Sequence, residues 1–250
     1  MAPGFKLVDC KVYLLNPQEQ IALDKFLEEN LRTGRVRLSK SPMASPFFFG
    51  KKPDSLGLKP IQDYRKFNES TIKNRYPLLL IGELVDKLKG SRIFTKLDVR
   101  WGYNNVRIKE GDEWKVAFRT NQDLFEPTVI MFFGLTNSPA TFEAMMNTLF
   151  HDLIQQGKIV IYLDDILIFT KDITEHRIVV KEVLKILRQN KLYLKLAKCE
   201  MEKDKIKYLE MIIGHGKVRM DPIKVDTVRN WQEPRTKKEL QMFLGYANFY

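Results

Sequence analysis

The segment IVIYLDDILIF (residues 159–169) constrains the fold more strongly than any other stretch of the chain. It places Asp164 and Asp165 between two apolar runs that are typical of buried β-strands. Because aspartate is common in turns and costly to bury without a partner, the pattern predicts a β-hairpin with both carboxylates at its tip. Two solvated turn residues would explain the pair equally well, so this segment alone does not establish a functional site.

A third carboxylate, Asp98, lies near the end of the strand-like segment RIFTKLDV. If neighbouring strands of one sheet bring it beside Asp164 and Asp165, the three negative charges repel one another and raise their pKa values unless a cation neutralises them. Oxygen ligands without a nearby His or Cys favour Mg²⁺ or Mn²⁺ over zinc. A pair of such ions supports phosphoryl transfer, so the three aspartates are candidate catalytic and metal-binding residues.

The charge of the chain favours a nucleic-acid partner. Forty-two Lys and Arg residues against thirty-one Asp and Glu residues give a formal net charge of +11. Residues 32–75 alone hold eleven basic and three acidic side chains. Such a basic patch binds a phosphate backbone favourably because condensed counterions are released. A basic face that contacts only solvent is the simpler explanation of the same composition.

Length and residue usage narrow the class of protein. The 250 residues can form one large domain or two small ones around an apolar core. No apolar stretch is long enough for a membrane-spanning helix, and the first residues lack the layout of a signal peptide, so we expect an intracellular protein with no membrane partner. Two separate cysteines and three scattered histidines give no support to a disulfide framework or a zinc site.

Capping signals and apolar spacing predict most of the secondary structure. Helices are predicted to start at Asn16 with Glu19, around residues 78–89, at Ser138 as N-cap with Pro139, at Asp172 with Glu175, at Asp221 with Pro222, and at Thr236 with Glu239. Strands are predicted at 47–49, in RIFTKLDV, in KLYLKL and in IKYLEMIIG. The last helix runs to Tyr250 without a C-cap, so we expect that more chain followed.

Five segments carry a family resemblance. They are QDYRKFNESTIKNRYPL (62–78), FTKLDVRWGYNNVRI (94–108), FFGLTNSPATFEAMMN (132–147), YLDD (162–165) and ELQMFLGYANFY (239–250). Together they resemble the reverse transcriptase domain of gypsy-type LTR retrotransposon Pol polyproteins, in a fungal-like copy. The resemblance covers nearly the whole chain, and five motifs in the family's order are far more specific than YLDD alone.

The resemblance implies an α+β fold: the fingers and palm of a right-hand polymerase, with a ferredoxin-like antiparallel palm sheet, helices on one of its faces and a truncated thumb. Residues 1–92 would form the fingers, the N-terminal helix and the start of the palm. Residues 93–213 would form the palm, with an interleaved fingers portion around 109–130. Residues 214–250 would begin the thumb or connection.

The resemblance also implies roles for individual residues. Asp98 and Asp164 would do most of the metal coordination, with the carbonyl of Val99 as a further ligand and Asp165 as a supporting charge. The nucleotide-binding set would be Lys51, Lys59, Arg100, Tyr103, Phe133 and Gly134. Tyr103 would exclude a ribose 2′-OH. The template and primer set would be Arg65, Asn137, Ser138, Pro139, Tyr162, Tyr208, Leu209 and Met211.

Three features depart from the family pattern. The segment KKPDSLGLKP is one residue longer than usual, with Pro53 for a lysine and Lys59 for an arginine, which would weaken nucleotide binding. Gly50 stands where a valine is usual. Glu210 stands where glycine is usual, and its charge would repel the primer backbone.

The implied function is that of an RNA-directed DNA polymerase that adds deoxynucleotides to a primer 3′-OH with two Mg²⁺ or Mn²⁺ ions. Its partners would be an RNA or DNA template with primer, deoxynucleoside triphosphates, and the ribonuclease H, integrase and protease regions of a parent polyprotein. The location would be cytoplasmic, in a virus-like particle, or nuclear. The departures leave a second reading open, a catalytically silent relic that binds nucleic acid. A third possible function, that of a metal-dependent phosphohydrolase, is the least favoured of the three.

Overall fold

The computed structural model describes residues 7, 10–51, 57–77, 84, 86–100, 102–128, 131, 134–214 and 216–248. The chain forms two compact units. The first consists of residues 1–78 and 101–146, and the second of residues 79–100 and 147–250. The assignment of fingers, palm and thumb to 1–92, 93–213 and 214–250 stays a prediction.

The first unit is a five-stranded sheet with helices. Its elements are α1 (Pro17–Arg32), β1 (Val36–Leu38), β2 (Ser45–Lys51), β3 (Leu58–Gln62), α2 (Arg65–Glu69), β5 (Phe118–Arg119), β6 (Leu124–Pro127) and most of α3 (Ser138–Leu149). The strand order is β1-β6-β5-β2-β3, with only the short β2–β5 pair parallel. An aromatic-rich core that includes Phe47, Tyr64, Phe118 and Phe125 holds the sheet and α1 together.

The second unit contains two antiparallel sheets. Its remaining elements are β4 (Ile93–Asp98), α4 (His151–Gln155), β7 (Ile159–Tyr162), β8 (Asp165–Thr170), α5 (Ile173–Gln189), β9 (Glu200–Lys203), β10 (Lys205–Tyr208), β11 (Met211–Gly214), β12 (Lys217–Met220), α6 (Pro222–Arg229) and α7 (Lys237–Ala247). One sheet has the order β7-β8-β4-β9, and the other β10-β11-β12. Apolar side chains from both sheets, among them Phe94, Leu167 and Ile206, form one core cluster.

Most of the predicted helix starts are confirmed, because capping depends on a few contiguous residues. Asn16 with Glu19 and Thr236 with Glu239 form complete capping boxes. The side chains of Asp172 and Asp221 also accept hydrogen bonds from the first turns of their helices. The helix predicted around residues 78–89 falls largely outside the described residues.

The predicted N-cap role of Ser138 is wrong. The helix α3 already includes Ser138, and Thr141 N donates to the carbonyl of Asn137 instead. The hydroxyl of Ser138 is buried and, among the described residues, has no hydrogen-bond partner.

Of two strand predictions near residue 200, KLYLKL is wrong, and IKYLEMIIG is confirmed as strand but not as a single one. KLYLKL forms only an isolated bridge between Leu194 and Val99, followed by a 3-10 helix at Leu196–Lys198. IKYLEMIIG is two strands, β10 and β11, joined by a turn at Leu209 and Glu210. Both turn residues have positive φ, 48° and 62°, without a glycine to signal the turn.

In the described part of the chain, no helix is both long and apolar enough to cross a bilayer.

A buried histidine joins α5 to the sheet that contains β4 and β8. His176 is fully buried; its Nε2 lies 2.8 Å from the hydroxyl of Thr95 and its Nδ1 lies 3.0 Å from that of Thr170. The Thr170 hydroxyl donates to the carbonyl of Asp172, so it accepts from Nδ1 of a neutral ring. Burial lowers the pKa of His176.

We predict that His176→Gln makes the stability of the protein less sensitive to acid. The unfolded chain takes up a proton near pH 6.5, whereas the buried ring resists it, so the native protein loses up to about 2 kcal/mol of unfolding free energy between pH 7 and pH 5. The variant lacks this loss, although it is about 1–3 kcal/mol less stable at pH 7 because two hydroxyls lose a partner. Urea unfolding at several pH values measures both effects.

The exposed His151 supplies the matched control, because His151→Gln leaves the buried network intact. The raised pKa of Asp165 makes the protein more stable as the pH falls, which is opposite to the effect of His176. Asp165 is present in the wild type and in both variants, so its contribution cancels when their pH slopes are compared. Equal pH slopes for wild type and His176→Gln would contradict the prediction.

Candidate active site

Strand pairing places two of the three candidate aspartates side by side. Asp98 at the end of β4 is directly opposite Asp165 at the start of β8, and Asp165 is also opposite Tyr162 of β7. Directly opposed residues share one face of a sheet, so the three side chains form a row across it. Leu163 and Asp164 form the turn between β7 and β8. Leu163 has a φ of 55°, which is uncommon for a residue other than glycine.

Backbone hydrogen bonds fix the end of β4 against this turn and against the segment after α5. The N–H of Val99 donates to the carbonyl of Asp164 at 2.8 Å, and the N–H of Lys195 donates to the carbonyl of Asp98 at 2.9 Å. The N–H of Asp98 lies 3.5 Å from the sulfur of Cys199. Val99 itself is fully buried.

The pKa values of the aspartates at this site follow from partial burial and from the repulsion between like charges. Burial, and then the charge of Asp98, raise the pKa of Asp164 despite its backbone hydrogen bond. Burial, followed by the charges of Asp164 and Asp98, raises the pKa of Asp165 to about 6. Lys198 offsets part of both shifts. The carboxylates are therefore short of positive charge.

Lys198, which the sequence analysis missed, is the cation that contacts this row. Its Nζ lies 3.5 Å from a carboxylate oxygen of Asp98. The 3-10 helix at Leu196–Lys198 directs it there, and Lys195 adds a second, more distant positive charge that lowers the pKa of Asp164. No local motif predicts this approach, because Lys198 and Asp98 are far apart in the sequence.

The donor set has the chemistry of a site for hard cations. The three carboxylates and the Val99 carbonyl offer only oxygen, which suits Mg²⁺ or Mn²⁺. Across the described residues, however, no three His, Cys, Asp or Glu side chains already converge closely enough to hold a metal ion. The structure therefore aligns candidate ligands without closing a cage around an ion.

The hairpin of β10 and β11 supports the row from the same unit. Tyr208 is buried, and its hydroxyl donates to the carbonyl of Asp165 at 3.1 Å, so it steadies the start of β8. Met211 is also buried, and Leu209 is in the turn. Contact of these three residues with a primer stays a prediction.

The charge of Glu210 is partly neutralised within the hairpin. Its carboxylate lies 3.5 Å from Lys207 and 3.8 Å from Lys224. Its φ of 62° is a conformation that favours glycine, as the family pattern has at this position. The carboxylate expected to repel the primer therefore has two cations beside it.

In the first unit, the two lysines predicted to bind triphosphate are not brought together. Lys51 is opposite Leu58, whereas Lys59 is opposite Gly50, so the lysine side chains lie on opposite faces of the β2–β3 ribbon. A β-carbon on Gly50 would lie 2.6 Å from the Cδ1 atom of Ile61. The flexible side chain of Ile61 therefore occupies the space that the usual valine would fill.

Other predicted nucleotide contacts are only partly described. The backbone of Tyr103 forms a 3-10 helix at Gly102–Asn105, but its side chain and all of Phe133 lie outside the described residues. Arg100 is exposed in the second unit, where its N–H donates to the carbonyl of Tyr193 at 2.7 Å. Gly134 has a φ of 98°.

Asn68, a second residue that the sequence analysis missed, holds the loop containing Gly134. Its side-chain amide donates to the carbonyl of Gly134 at 2.7 Å and accepts from the N–H of Thr136 at 2.9 Å. Asn137 holds the other end, accepting from the N–H of Asn74 and donating to the carbonyl of Ile72.

Of the remaining template candidates, Pro139 is half-buried in α3 and Arg65 is exposed. Arg65 is held by two hydrogen bonds to Asp63, at 2.8 and 2.6 Å. This pairing fixes the direction of the guanidinium but leaves its template contact a prediction.

The amino-acid sequence of the chain is similar to those of a known protein family and of several polyproteins. The family described as "Reverse transcriptase (RNA-dependent DNA polymerase)" matches residues 50–213. The Tf2-3 and Tf2-7 transposon polyproteins of Schizosaccharomyces pombe are each 35% identical to the chain over 237 residues, 95% of it. The chain spans only 18% of the length of either polyprotein.

Solved structures of similar fold come from foamy virus. A protease-reverse transcriptase in complex with double-stranded DNA has a TM-score of 0.86 at 24% identity, covering 98% of this chain and 42% of that one. A protease-reverse transcriptase in complex with an RNA/DNA hybrid has a TM-score of 0.81 at 25% identity, covering 99% and 33%. These similarities confirm the predicted α+β polymerase fold.

We predict that Asp165→Asn stabilises the protein in metal-free buffer. The substitution removes a half-buried charge whose pKa is raised to about 6, so the gain appears above pH 6 and fades as Asp165 becomes protonated. After allowance for solvent screening, we expect about 1–2 kcal/mol at pH 8. Thermal unfolding with a chelator present measures it. The exposed Asp152 gives the control Asp152→Asn, and equal effects of both variants would refute the explanation.

We predict that Glu210→Gly also stabilises the chain, by about 0.5–1 kcal/mol. Glycine removes the cost of a left-handed backbone, which exceeds the value of two half-exposed ion pairs. Glu210→Gln keeps the β-carbon and loses the charge, so it separates the two contributions in urea unfolding. A gain from glutamine as large as that from glycine would show that charge, not backbone strain, is responsible.

Proposed function

Because this chain belongs to the reverse transcriptase (RNA-dependent DNA polymerase) family, we propose that the row of Asp98, Asp165 and the adjoining Asp164 is its polymerase active site. The observation that carries the proposal is the register of β4 and β8, which sets Asp98 opposite Asp165 beside the Asp164 turn. The earlier resemblance to LTR retrotransposon polyproteins is confirmed at the level of the reverse transcriptase domain.

In this proposal Asp98 and Asp164 hold divalent cations, with the Val99 carbonyl as a further ligand and Asp165 as a supporting charge. Bound Mg²⁺ or Mn²⁺ would lower the pKa of the primer 3′-hydroxyl and stabilise charge on the leaving pyrophosphate. The hydrogen bonds from Val99 to Asp164 and from Lys195 to Asp98 keep the ligand-bearing backbone in place. The raised pKa values of Asp164 and Asp165 fit a site that needs additional positive charge.

Substrate binding is proposed for the residues to which the family resemblance gives that role. The substrates would be a deoxynucleoside triphosphate and a primer on an RNA or DNA template. Tyr103 would discriminate against ribose, and the other members of the nucleotide set and of the template and primer set keep the roles that the resemblance implies. The basic composition of residues 32–75 supports contact with phosphates.

The parent protein is proposed to be a retrotransposon polyprotein. The Tf2 relatives are polyproteins, of which this chain matches 18% of the length. The corresponding partners would be protease, ribonuclease H and integrase regions of the same polyprotein. Reverse transcription would then take place inside the cell, in a cytoplasmic particle or in the nucleus.

Two of the departures from the family pattern, at Gly50 and Glu210, do not favour the silent relic, whereas Pro53 lies outside the described residues. Ile61 occupies the space that a larger residue would fill at Gly50, and Lys207 and Lys224 lie beside Glu210. A phosphohydrolase would explain the carboxylates but not the family match over residues 50–213. Polymerisation therefore accounts for more of the observations than either alternative.

Primer extension tests the proposal. With an oligo(dT) primer on poly(rA), dTTP and Mg²⁺ or Mn²⁺, we expect extension that Asp164→Asn reduces by at least about a thousandfold, because a catalytic ligand is lost. Asp152→Asn, the exposed control, should retain full activity. UTP should be used far less well than dTTP. Template binding without extension by the unmodified chain would favour the relic and overturn the proposal.

A further inference from the structure

The β10–β12 sheet has two chemically different faces. The pairing register groups Ile206, Tyr208, Met211, Ile213 and Val218 on the inner face, where they join the core. The outer face carries Lys205, Lys207, Ile212, Gly214, Lys217 and Arg219. Strict alternation along each strand therefore collects four cations on one side of the sheet.

This outer face is separate from the row of aspartates. Tyr208 contacts Asp165 from the inner face, and the alternation turns Lys205 and Lys207 away from that contact. The row that contains Lys205 and Gly214 is three residues from the row of Tyr208 and Met211, about 10 Å along the strand. A ligand on the outer face would not occupy the catalytic site.

Gly214 leaves the centre of this face without a side chain. A β-carbon there would lie 2.7 Å from the carbonyl oxygen of Asp204 and 3.0 Å from Lys205, so only glycine allows β10 and β11 to approach so closely. Lys205 and Lys217 flank Gly214 in the same cross-strand row, about 10 Å apart over two strand spacings. A concavity lined by these residues, Ile212 and Arg219 opens at this point.

Most of the positive charge on the face is uncompensated. Lys207 forms an ion pair with Asp221, which leaves three cations. Within the described part of the chain, Lys205, Lys217 and Arg219 are exposed and form no ion pair. The half-buried Ile212 lies on this face, and Met220 and Pro222 line the same concavity. None of the described residues that line it is aromatic, so it lacks the aromatic anchors that protein partners favour.

We propose that this face is a second nucleic-acid contact, at which Lys205, Lys217 and Arg219 bind the phosphate backbone of a duplex outside the active site. Clustered, exposed cations around a shallow concavity without aromatic anchors match the electrostatic recognition of phosphates. One sugar–phosphate strand can lie over Gly214 between Lys205 and Lys217. The contact is independent of sequence and of polymerisation.

Fluorescence anisotropy with a labelled, blunt-ended RNA/DNA duplex tests the proposal on the full chain. The triple variant Lys205→Gln, Lys217→Gln, Arg219→Gln should bind roughly tenfold to a hundredfold more weakly at about 0.15 M salt. The slope of log affinity against log salt should fall in magnitude by about 2 to 3, as expected for three lost phosphate contacts. Thermal unfolding checks that the exposed substitutions leave the fold intact.

The control variant is Lys181→Gln, Lys185→Gln, Arg188→Gln, which removes the same charges from exposed positions of α5. It should change the affinity less than threefold. Equal losses in both triple variants would reduce the effect to overall charge and overturn the proposal, as would no loss in either. A change of oligomeric state in the sheet variant alone, measured by sedimentation, would assign the face to a second copy instead.

The test remains independent of catalysis. In the Asp164→Asn background the triple variant should lose affinity by the same factor, because the two sites do not touch. An absence of primer extension would contradict the proposed function but leave this comparison of affinities intact. A loss that disappears in the Asp164→Asn background would place the bound phosphates in the active site and refute a second contact.

Discussion

The antiparallel pairing of β4 with β8 is the constraint on which the site depends. Ile166, Leu167 and Ile168 are fully buried on alternating faces of β8, so both faces of this strand are covered by apolar packing. Burial of these three side chains contributes about 5–9 kcal/mol to folding in total. This exceeds the cost of about 3 kcal/mol, at most, that corresponds to raising the pKa of Asp165 to about 6. Hydrophobic packing thus forces the carboxylates together.

The cations around the row reduce this cost without removing it. Lys198 approaches Asp98, and Lys96 lowers the pKa of Asp165 but also pairs with Glu200 at 3.2 Å. Had these lysines neutralised the carboxylates fully, a divalent cation would gain little by binding there. In the proposed function, the remaining shortage of positive charge is what would favour binding of a divalent cation by these carboxylates.

The sequence predicted those features that a few neighbouring residues determine. The capping boxes at Asn16 and Thr236 are such features, and so is the hairpin, because the apolar runs and the turn residues are contiguous. Its turn is Leu163 and Asp164, however, and Asp165 begins β8 instead of lying at the tip as predicted. The failures arise where distant residues decide. KLYLKL alternates like a strand but finds only one bridge partner, and Lys198 reaches Asp98 through tertiary packing that no spacing reveals. The turn at Glu210 has no glycine to announce it.

A single strand can serve two sites because a sheet separates its faces. In β10, Ile206 and Tyr208 point into the core that supports Asp165, whereas Lys205 and Lys207 point outward. Each face is fixed by the same backbone hydrogen bonds, so a change of outer charge leaves the inner packing unaltered. This separation lets positive charge accumulate outside without filling the negative site within. If both proposals hold, the chain would bind a polyanion on the outer face and keep its carboxylates available for divalent ions.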